Sequence, residues 1–359
     1  MPTFRRDLDR IPVYRPGKPI DEVSRELGLS DIIKLASNEW PMPPFPAVVD
    51  AIAAAASDLN RYPETSAYHL VNALSEYLGV PDDHLWIGSG STELLLSTSL
   101  IVGGPETSFV FADPSFVMYR VYAAVTGAEA IAVPSTTGRG HDLEAMLAAI
   151  QPDTTLVFVC NPNNPTGTYV AGDELTAFID QTPEETLVVV DEAYCELVTA
   201  ADYTTCVPLA LERDNVVVTR TFSKVFGLAG LRVGYAVGAP DTLGKLRRGQ
   251  VPFSVNSIAQ AAAEAALGCV DELRQRVRDN AGVRDHLEKG LADRGLEYVA
   301  SQTNFVLLPS LPDPSGVADA LLRRGVIVRL LGDSIRVTVG TGEENERFLT
   351  ALDEVSANR

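Results

Sequence analysis

The sequence predicts an α/β fold, in which a mostly parallel sheet is covered by helices on both faces and joined to a smaller α+β domain. Short β-branched runs alternate with longer amphipathic segments through the middle of the 359-residue chain, as in repeated βαβ units. Several runs are almost uniformly apolar, which only strands buried on both faces tolerate. They include residues 156–160, 187–190 and 216–218.

The N-terminal 34 residues differ from this pattern and are predicted to form an extended arm. They are rich in proline and charge, with one short helix expected near residues 21–27. Residues 35–249 are then expected to form the large domain. The packing expected for the arm is against the small domain or a partner subunit.

Residues 250–359 are predicted to form the small domain. An Ala-rich helix is expected first, followed by a second helix over residues 271–294. Alternating segments at residues 304–307 and 335–339 then predict strands.

The composition excludes several classes of function. Lys plus Arg number 29 against 48 Asp plus Glu, giving a net charge of −19, which disfavours binding to nucleic acid or to an anionic membrane. No apolar run approaches the roughly 20 residues that cross a bilayer, and the first residues lack the apolar core of a secretory signal. Neither the cysteines nor the histidines show metal-site spacing. We expect a cytoplasmic protein without a metal.

Polar residues follow three of the predicted strands. They lie at residues 161–167, 191–194 and 219–224. Ligands of open α/β sheets bind beyond the carboxyl ends of the strands, so these segments are expected to meet at one crevice.

Lys224 is the first candidate for chemistry in that crevice. It follows a predicted buried strand and stands among apolar residues and glycines. Such surroundings remove water from an amine, lower its pKa and make it a nucleophile able to form a Schiff base. A lone lysine in a loop would otherwise be a solvated charge.

Asp191, Asn161 and Tyr194 are further candidates at the same edge. Asp191 either caps a helix or provides the carboxylate that keeps a cofactor's pyridine nitrogen protonated. Asn161 either forms a turn before its proline or, with Tyr194, bonds a phenolic oxygen of that ring.

Three motifs resemble those of fold type I pyridoxal-phosphate aminotransferases. They occupy residues 161–167, 190–194 and 223–235, and the resemblance extends from about residue 14 to residue 341. The chain is more narrowly similar to the histidinol-phosphate aminotransferase family. The segments that carry this narrower similarity are residues 33–39, 61–64, 252–257, 302–305 and 325–329.

The resemblance implies pyridoxal 5'-phosphate as the cofactor and a role for each candidate. Lys224 would link to the cofactor and act as the catalytic base, Asp191 would pair with the pyridinium nitrogen, and Asn161 and Tyr194 would bond the phenolic oxygen. Phe116 would stack on the ring, although the family usually has tyrosine there and a core position is the alternative. The residues implied to hold the phosphate are Ser91, Thr92, Ser223 and Arg232, with Tyr62 reaching it from the partner of a homodimer.

The implied substrate residues are Tyr14, Asn38, Arg329 and Arg336. A solvated strand arginine is the alternative for Arg336, but a guanidinium suits capture of a carboxylate or phosphate. The chain departs from the family after Glu39, where Trp40, Pro41 and Met42 replace the usual residues and Trp40 is expected to reshape the substrate entrance.

The implied activity is transamination between L-histidinol phosphate and 2-oxoglutarate, giving imidazole-acetol phosphate and L-glutamate in histidine biosynthesis. An aromatic amino acid aminotransferase acting on phenylalanine or tyrosine is the alternative within the family. A pyridoxal-phosphate decarboxylase of the same fold is a more distant rival.

Overall fold

The computed structural model describes residues 17–357, which form two sheets packed with helices. The helices are α1 (Ile20–Leu27), α2 (Pro46–Ala55), α3 (Tyr68–Leu78), α4 (Gly90–Val102), α5 (Met118–Thr126), α6 (Leu143–Ala148), α7 (Gly172–Gln181), α8 (Val207–Glu212), α9 (Pro240–Leu246), α10 (Ser257–Leu267), α11 (Val270–Asp293), α12 (Pro314–Leu322) and α13 (Gly342–Ala357). Among the described residues, no helix is both long and apolar enough to traverse a membrane.

The five segments predicted as strands are strands in the structure, and all the strands divide between the two sheets. They are β1 (Ile33–Leu35), β2 (Leu85–Gly88), β3 (Ser108–Asp113), β4 (Glu129–Pro134), β5 (Thr154–Cys160), β6 (Leu187–Asp191), β7 (Val216–Thr221), β8 (Gly234–Gly238), β9 (Phe305–Leu308), β10 (Val326–Leu331) and β11 (Ser334–Thr338).

The large sheet has the order β2-β8-β7-β6-β5-β3-β4. Strand β8 is antiparallel to both of its neighbours, and the other pairs are parallel. The mostly parallel sheet predicted from the apolar runs is therefore confirmed.

Helices cover both faces of this sheet, as its strands require. Val188 and Val190 of β6 belong to one buried apolar cluster, whereas Leu187 and Val189 belong to a second cluster. Because successive side chains of a strand point to opposite faces, the two clusters lie on opposite sides of the sheet. This double burial explains why the sequence of β6 shows no polar alternation.

The small sheet has the order β1-β10-β11-β9 and its own core. Ile33 and Leu35 of β1 enter this core beside apolar residues of α11 and α13. Strand β1 pairs in parallel with β10, whereas β11 is antiparallel to both β10 and β9. The chain thus enters the small sheet first, and the residues after β1 lead across to the large sheet.

The packing differs from the expected division at two places. Strand β1 lies across the expected boundary at residue 35 and belongs to the small sheet. Helix α10 was expected in the small domain, yet Ala259, Ala262 and Ala263 are buried in the core of the large sheet. Small alanine side chains let α10 pack closely on α2 and α3. That the arm, the large domain and the small domain fold or move as separate units remains a prediction.

Candidate active site

The ends of β5, β6 and β7 meet at one cavity of about 280 Å3. Cys160 and Asp191 are register partners at this edge, and Asp191 is in turn aligned with Thr219. The predicted residues that line the cavity are Asn38, Ser91, Thr92, Phe116, Asp191, Tyr194, Ser223, Lys224, Arg232, Arg329 and Arg336. A larger cavity of about 1050 Å3 lies near Arg220 and Glu196, but Lys224 and Asp191 do not line it. The residues that line the smaller cavity, and not the size of either cavity, therefore identify the candidate site.

Lys224 extends from the loop after β7 into this cavity. Its Nζ donates a hydrogen bond of 3.4 Å to the Asn38 carbonyl and lies 5.2 Å from the centre of the Tyr194 ring. The pKa of Lys224 is lowered to about 8, chiefly by burial and also by the nearby charges of Arg336 and Arg232, while Asp191 acts in the opposite direction. The amine is thus partly uncharged near neutral pH and available as a nucleophile or base.

Asp191 is almost wholly buried at the end of β6. Tyr119 Oη donates a hydrogen bond of 2.9 Å to its Oδ2, and Thr219 Oγ1 donates a longer bond of 3.4 Å to Oδ1. Burial raises the pKa of Asp191 to about 6, although these bonds and Lys224 act in the opposite direction. A carboxylate so placed favours a positively charged ligand.

Tyr119 was missed in the sequence analysis. Its ring is stacked on Phe158 at 4.3 Å and meets the ring of Phe116 edge-on at 5.5 Å. Phe116 is partly buried at the cavity wall, where a flat ligand could stack on it. Tyr119 therefore supports both Asp191 and Phe116. Its position three residues after Phe116 is the sequence feature from which a role at the site could have been predicted.

The structure contradicts the assignment of Asn161 to the cavity. Its amide exchanges two hydrogen bonds with the backbone of Val170, at 3.0 and 3.1 Å, and does not line the cavity. Asn164, three residues later, lines it and accepts a hydrogen bond from Arg336. Both asparagines precede a proline, so the motif alone did not distinguish them. Asn161 therefore holds the loop, and Asn164 presents its amide to the site.

A cradle for an anion lies at the N-terminus of α4. Ser91 and Thr92 occupy its first turn, where free backbone N–H groups and the helix dipole favour negative charge. Arg232 donates to Ser223 Oγ at 3.2 Å, which brings both predicted residues to this end. At Gly90, φ is +72° and a Cβ would lie 2.5 Å from Arg232 Nη2. Glycine is favoured there because this positive φ strains other residues, and a Cβ would also displace the guanidinium of Arg232.

Arg329 and Arg336 face each other across β10 and β11 as register partners and both line the cavity. Like charges opposite one another destabilise a strand pair, so the arrangement indicates an anion site. Arg336 is buried and lies 5.1 Å from the ring centre of Phe305, with Nη2 donating to the Ala36 carbonyl at 3.1 Å. The guanidinium is thereby fixed in position.

The remaining predicted residues have different positions. Tyr14 lies outside the described residues. Tyr62 is 82% exposed and stacks on Phe253 at 4.7 Å, away from the cavity of its own chain. Trp40 does not line the Lys224 cavity; it packs against the large core, with Arg276 5.6 Å from its ring centre. The expected reshaping of the substrate entrance by Trp40 is therefore not supported by direct contact.

Together these groups fit a flat ring that carries an aldehyde, a ring nitrogen and a phosphate. Lys224 supplies an amine for the aldehyde, and Asp191 supplies a buried carboxylate for the nitrogen. The phosphate is matched by the cradle at α4 and Arg232, and the ring by the face of Phe116.

Comparisons with known proteins agree with this site. Residues 30–352 match the family described as "Aminotransferase class I and II". The histidinol-phosphate aminotransferase of Moorella thermoacetica is 44% identical over 364 residues, covering 99% of this chain and 94% of that protein. The aromatic amino acid aminotransferase of Streptomyces coelicolor is 42% identical, covering 98% and 97%. A crystal structure of histidinol-phosphate aminotransferase from Sinorhizobium meliloti with pyridoxal-5'-phosphate is 30% identical, with a TM-score of 0.91 and coverage of 99% and 98%.

Proposed function

The chain belongs to the class I and II aminotransferase family, and on that premise we propose that it is a pyridoxal-phosphate-dependent histidinol-phosphate aminotransferase. It would exchange an amino group between L-histidinol phosphate and 2-oxoglutarate. The observation that carries the choice of substrate is the pair Arg329 and Arg336, which face one another at the cavity that also holds Lys224.

The cofactor, when bound, supplies an electron-withdrawing ring that stabilises negative charge at the substrate carbon. Asp191 keeps the ring nitrogen protonated, and Tyr194 donates to the phenolic oxygen. Burial raises the pKa of Tyr194, so its hydroxyl stays a neutral donor. Asn164, in place of Asn161, is proposed as the amide at this side of the ring.

Lys224 is proposed to move the proton that transamination requires. Its amine is held at the Asn38 carbonyl, and its pKa of about 8 lies near the working pH. A Lys224→Ala variant is expected to fold and to lose more than about a thousandfold in turnover. Borohydride should then trap no cofactor on the protein; a trapped adduct on another lysine would contradict the assignment.

Arg329 and Arg336 are proposed to bind the phosphate of the substrate. A phosphate ester carries close to two negative charges at neutral pH, whereas an amino acid carboxylate carries one. In a partly dehydrated site the dianion gains more from the same guanidinium groups. The contribution of Tyr14 to this phosphate site stays a prediction from the resemblance.

An aromatic amino acid aminotransferase is the second candidate. It is favoured by the relative of that name, which is nearly as similar as the relatives named for histidinol phosphate. Both substrates present a flat ring, and the carboxylate of phenylalanine also suits an arginine. The two functions therefore differ in the charge of the group at Arg329 and Arg336.

Single-donor experiments separate these functions. The holoenzyme is mixed with histidinol phosphate, phenylalanine or tyrosine, and the conversion of bound cofactor to its amine form is followed by absorbance. Histidinol phosphate should have the highest specificity constant, and Arg336→Gln should reduce the constants for all three donors. A constant for phenylalanine or tyrosine more than about tenfold higher would contradict the proposal.

A homodimer with shared active sites is the assembly that we propose. Tyr62 and its stacking partner Phe253 present aromatic surface to solvent, beside Val251, which is 64% exposed. Exposed apolar groups of this kind are enriched at interfaces. Tyr62 would reach the cofactor phosphate of the partner subunit.

Mixed dimers test this assembly. Chains carrying Lys224→Ala and chains carrying Tyr62→Phe are unfolded together and refolded as a mixture. If Tyr62 serves the partner's site, one site of each mixed dimer has both defects and the other has neither, so activity reappears. A mixture no more active than its separate parents would show that Tyr62 serves its own subunit.

The cytoplasm is the proposed location. All four cysteines are free thiols, and three of them, Cys160, Cys206 and Cys269, are buried. Free thiols persist in reducing compartments.

A further inference from the structure

Asn38 joins the small sheet to both proposed catalytic side chains. Asn38 lies just after β1 of the small sheet and is almost wholly buried. All four of its polar groups are hydrogen-bonded. The side-chain Nδ2 bonds a residue beside the large sheet, the backbone N–H and Oδ1 bond a residue of the small sheet, and the carbonyl bonds residues on both sides. This connection is independent of any substrate contact.

On the large-domain side, Asn38 reaches Tyr194 and Lys224. Its Nδ2 donates to Tyr194 Oη at 3.0 Å, and its carbonyl accepts from Lys224 Nζ at 3.4 Å. A tyrosine hydroxyl that accepts one hydrogen bond directs its own hydrogen elsewhere. The Asn38 amide therefore leaves the Tyr194 hydrogen free to point into the cavity, while the Asn38 carbonyl holds the amine of Lys224.

On the small-sheet side, Asn38 and Thr338 form a reciprocal pair. The Asn38 backbone N–H donates to Thr338 Oγ1 at 2.9 Å, and that hydroxyl donates to Asn38 Oδ1 at 3.3 Å. Asn304, which precedes β9, also donates to the Asn38 carbonyl at 3.1 Å. Thr338 lies at the end of β11 and does not line the cavity that holds Lys224.

The backbone of Asn38 shows that this position is specially built. Its φ is 54°, in the left-handed region that few residues other than glycine and asparagine adopt without strain. In this backbone conformation the Asn38 side chain points toward Tyr194. An extended backbone at residue 38 would direct the side chain away from Tyr194. All four polar groups of Asn38 are hydrogen-bonded, and a buried residue bonded at each of its polar groups is held in one arrangement.

We propose that Asn38 is a positioning residue that couples the small sheet to the orientation of the Tyr194 hydroxyl and the Lys224 amine. The inference rests on the proposed function, since that function assigns the roles of Tyr194 and Lys224. It changes the expected role of Asn38, because the side chain acts through Tyr194 and the predicted contact with substrate is not needed.

The test compares Thr338→Val with Thr338→Ser. Valine has nearly the shape of threonine but cannot bond Asn38, whereas serine keeps the hydroxyl. The dissociation constant of pyridoxal phosphate and the pH midpoint of its visible absorption change are measured in each variant. Thr338→Val should shift the midpoint and reduce turnover about tenfold with little change in KM, and Thr338→Ser should restore both. Thr338 does not line the cavity and its hydroxyl bonds Asn38, so a shift that valine causes and serine restores is assigned to the bonds with Asn38.

Asn38→Gly and Tyr194→Phe complete the experiment. Glycine keeps the left-handed backbone and removes only the side chain. Both variants should shift the midpoint in the same direction, and the double variant should shift it little more than Tyr194→Phe alone. Additive shifts, or a raised donor KM with an unchanged midpoint, would overturn the proposal. If the parent protein bound no pyridoxal phosphate, the proposed function itself would fail, and the two failures are thus distinct.

Discussion

Asp191 and Glu192 are adjacent carboxylates at the end of β6, and their surroundings are opposite in character. Both are almost wholly buried, with exposed fractions of 3% and 1%. Glu192 pairs with the buried guanidinium of Arg220 at 2.7 Å and accepts further bonds from Thr205 and the Cys206 backbone. Within residues 17–357, the donors in hydrogen-bonding distance of Asp191 are all neutral, namely Tyr119, Thr219 and backbone.

The difference indicates which carboxylate serves structure and which serves function. A buried charge is costly unless it is paired, and Glu192 has its partner within the protein. The partner of Asp191 is, in our account, the protonated ring nitrogen of the cofactor. Burial raises the pKa of Asp191 to about 6, and a cation bound beside this carboxylate would lower the pKa again.

The largest expected effect is on turnover in Asp191→Asn. The amide keeps the shape of the carboxylate but cannot hold the ring nitrogen protonated, so turnover should fall on the order of a thousandfold. The free variant should be at least as stable as the parent at pH 7.5, because it no longer buries an unpaired charge. Steady-state rates and urea unfolding check both statements; unchanged turnover would make Asp191 a structural residue.

Glu192→Gln should show the reverse behaviour. Removing the charge leaves Arg220 buried without its anion, and such losses cost about 3–5 kcal/mol in the free energy of unfolding. The matched control is Asp180→Asn, which breaks the exposed ion pair with Arg213 and should cost less than about 1 kcal/mol. Equal losses in urea unfolding would show that the burial of the Glu192 pair carries no special cost.

Tyr119→Phe should have an intermediate effect, visible in the pH dependence of cofactor binding. The raised pKa of Asp191 means that the free protein protonates this carboxyl as the pH falls through about 6, and pyridoxal phosphate should then bind less tightly. Without the Tyr119 hydroxyl the ionised form loses a donor, so the weakening should begin roughly one pH unit higher. Dissociation constants measured from pH 5 to 8 decide this, and superimposable curves would exclude the role of Tyr119.

Thr219→Val should give the smallest change in the same titration. The Thr219 bond to Asp191 is 3.4 Å long, against 2.9 Å for the Tyr119 bond, and longer bonds are weaker. We expect a shift in the same direction but less than about half a pH unit. A shift larger than that of Tyr119→Phe would reverse the proposed order of the two donors.

The strand ends and their charged residues were predictable from the sequence. The apolar runs of β5, β6 and β7 placed their polar ends at one edge, and this brought Asp191 and Lys224 together as expected. The motifs identified the family from these residues and their spacing.

The contacts between distant positions were not predictable in the same way. Asn161 and Asn164 both precede proline, and the fold alone shows that the side-chain amide of Asn161 is hydrogen-bonded to the backbone of Val170. Tyr119 and Asp191 are 72 residues apart, and Asn38 and Thr338 are 300 apart. Such pairs follow from how the sheets pack together, which local patterns do not specify.

Nitrogen-15 NMR of the bound cofactor tests the central claim most directly. Pyridoxal phosphate labelled at the ring nitrogen is bound to the parent protein, to Asp191→Asn and to Glu192→Gln. We expect the chemical shift of a protonated nitrogen in the parent and in Glu192→Gln, and that of an unprotonated nitrogen in Asp191→Asn. An unprotonated nitrogen in the parent, or a protonated one in Asp191→Asn, would show that Asp191 is not the partner of the ring.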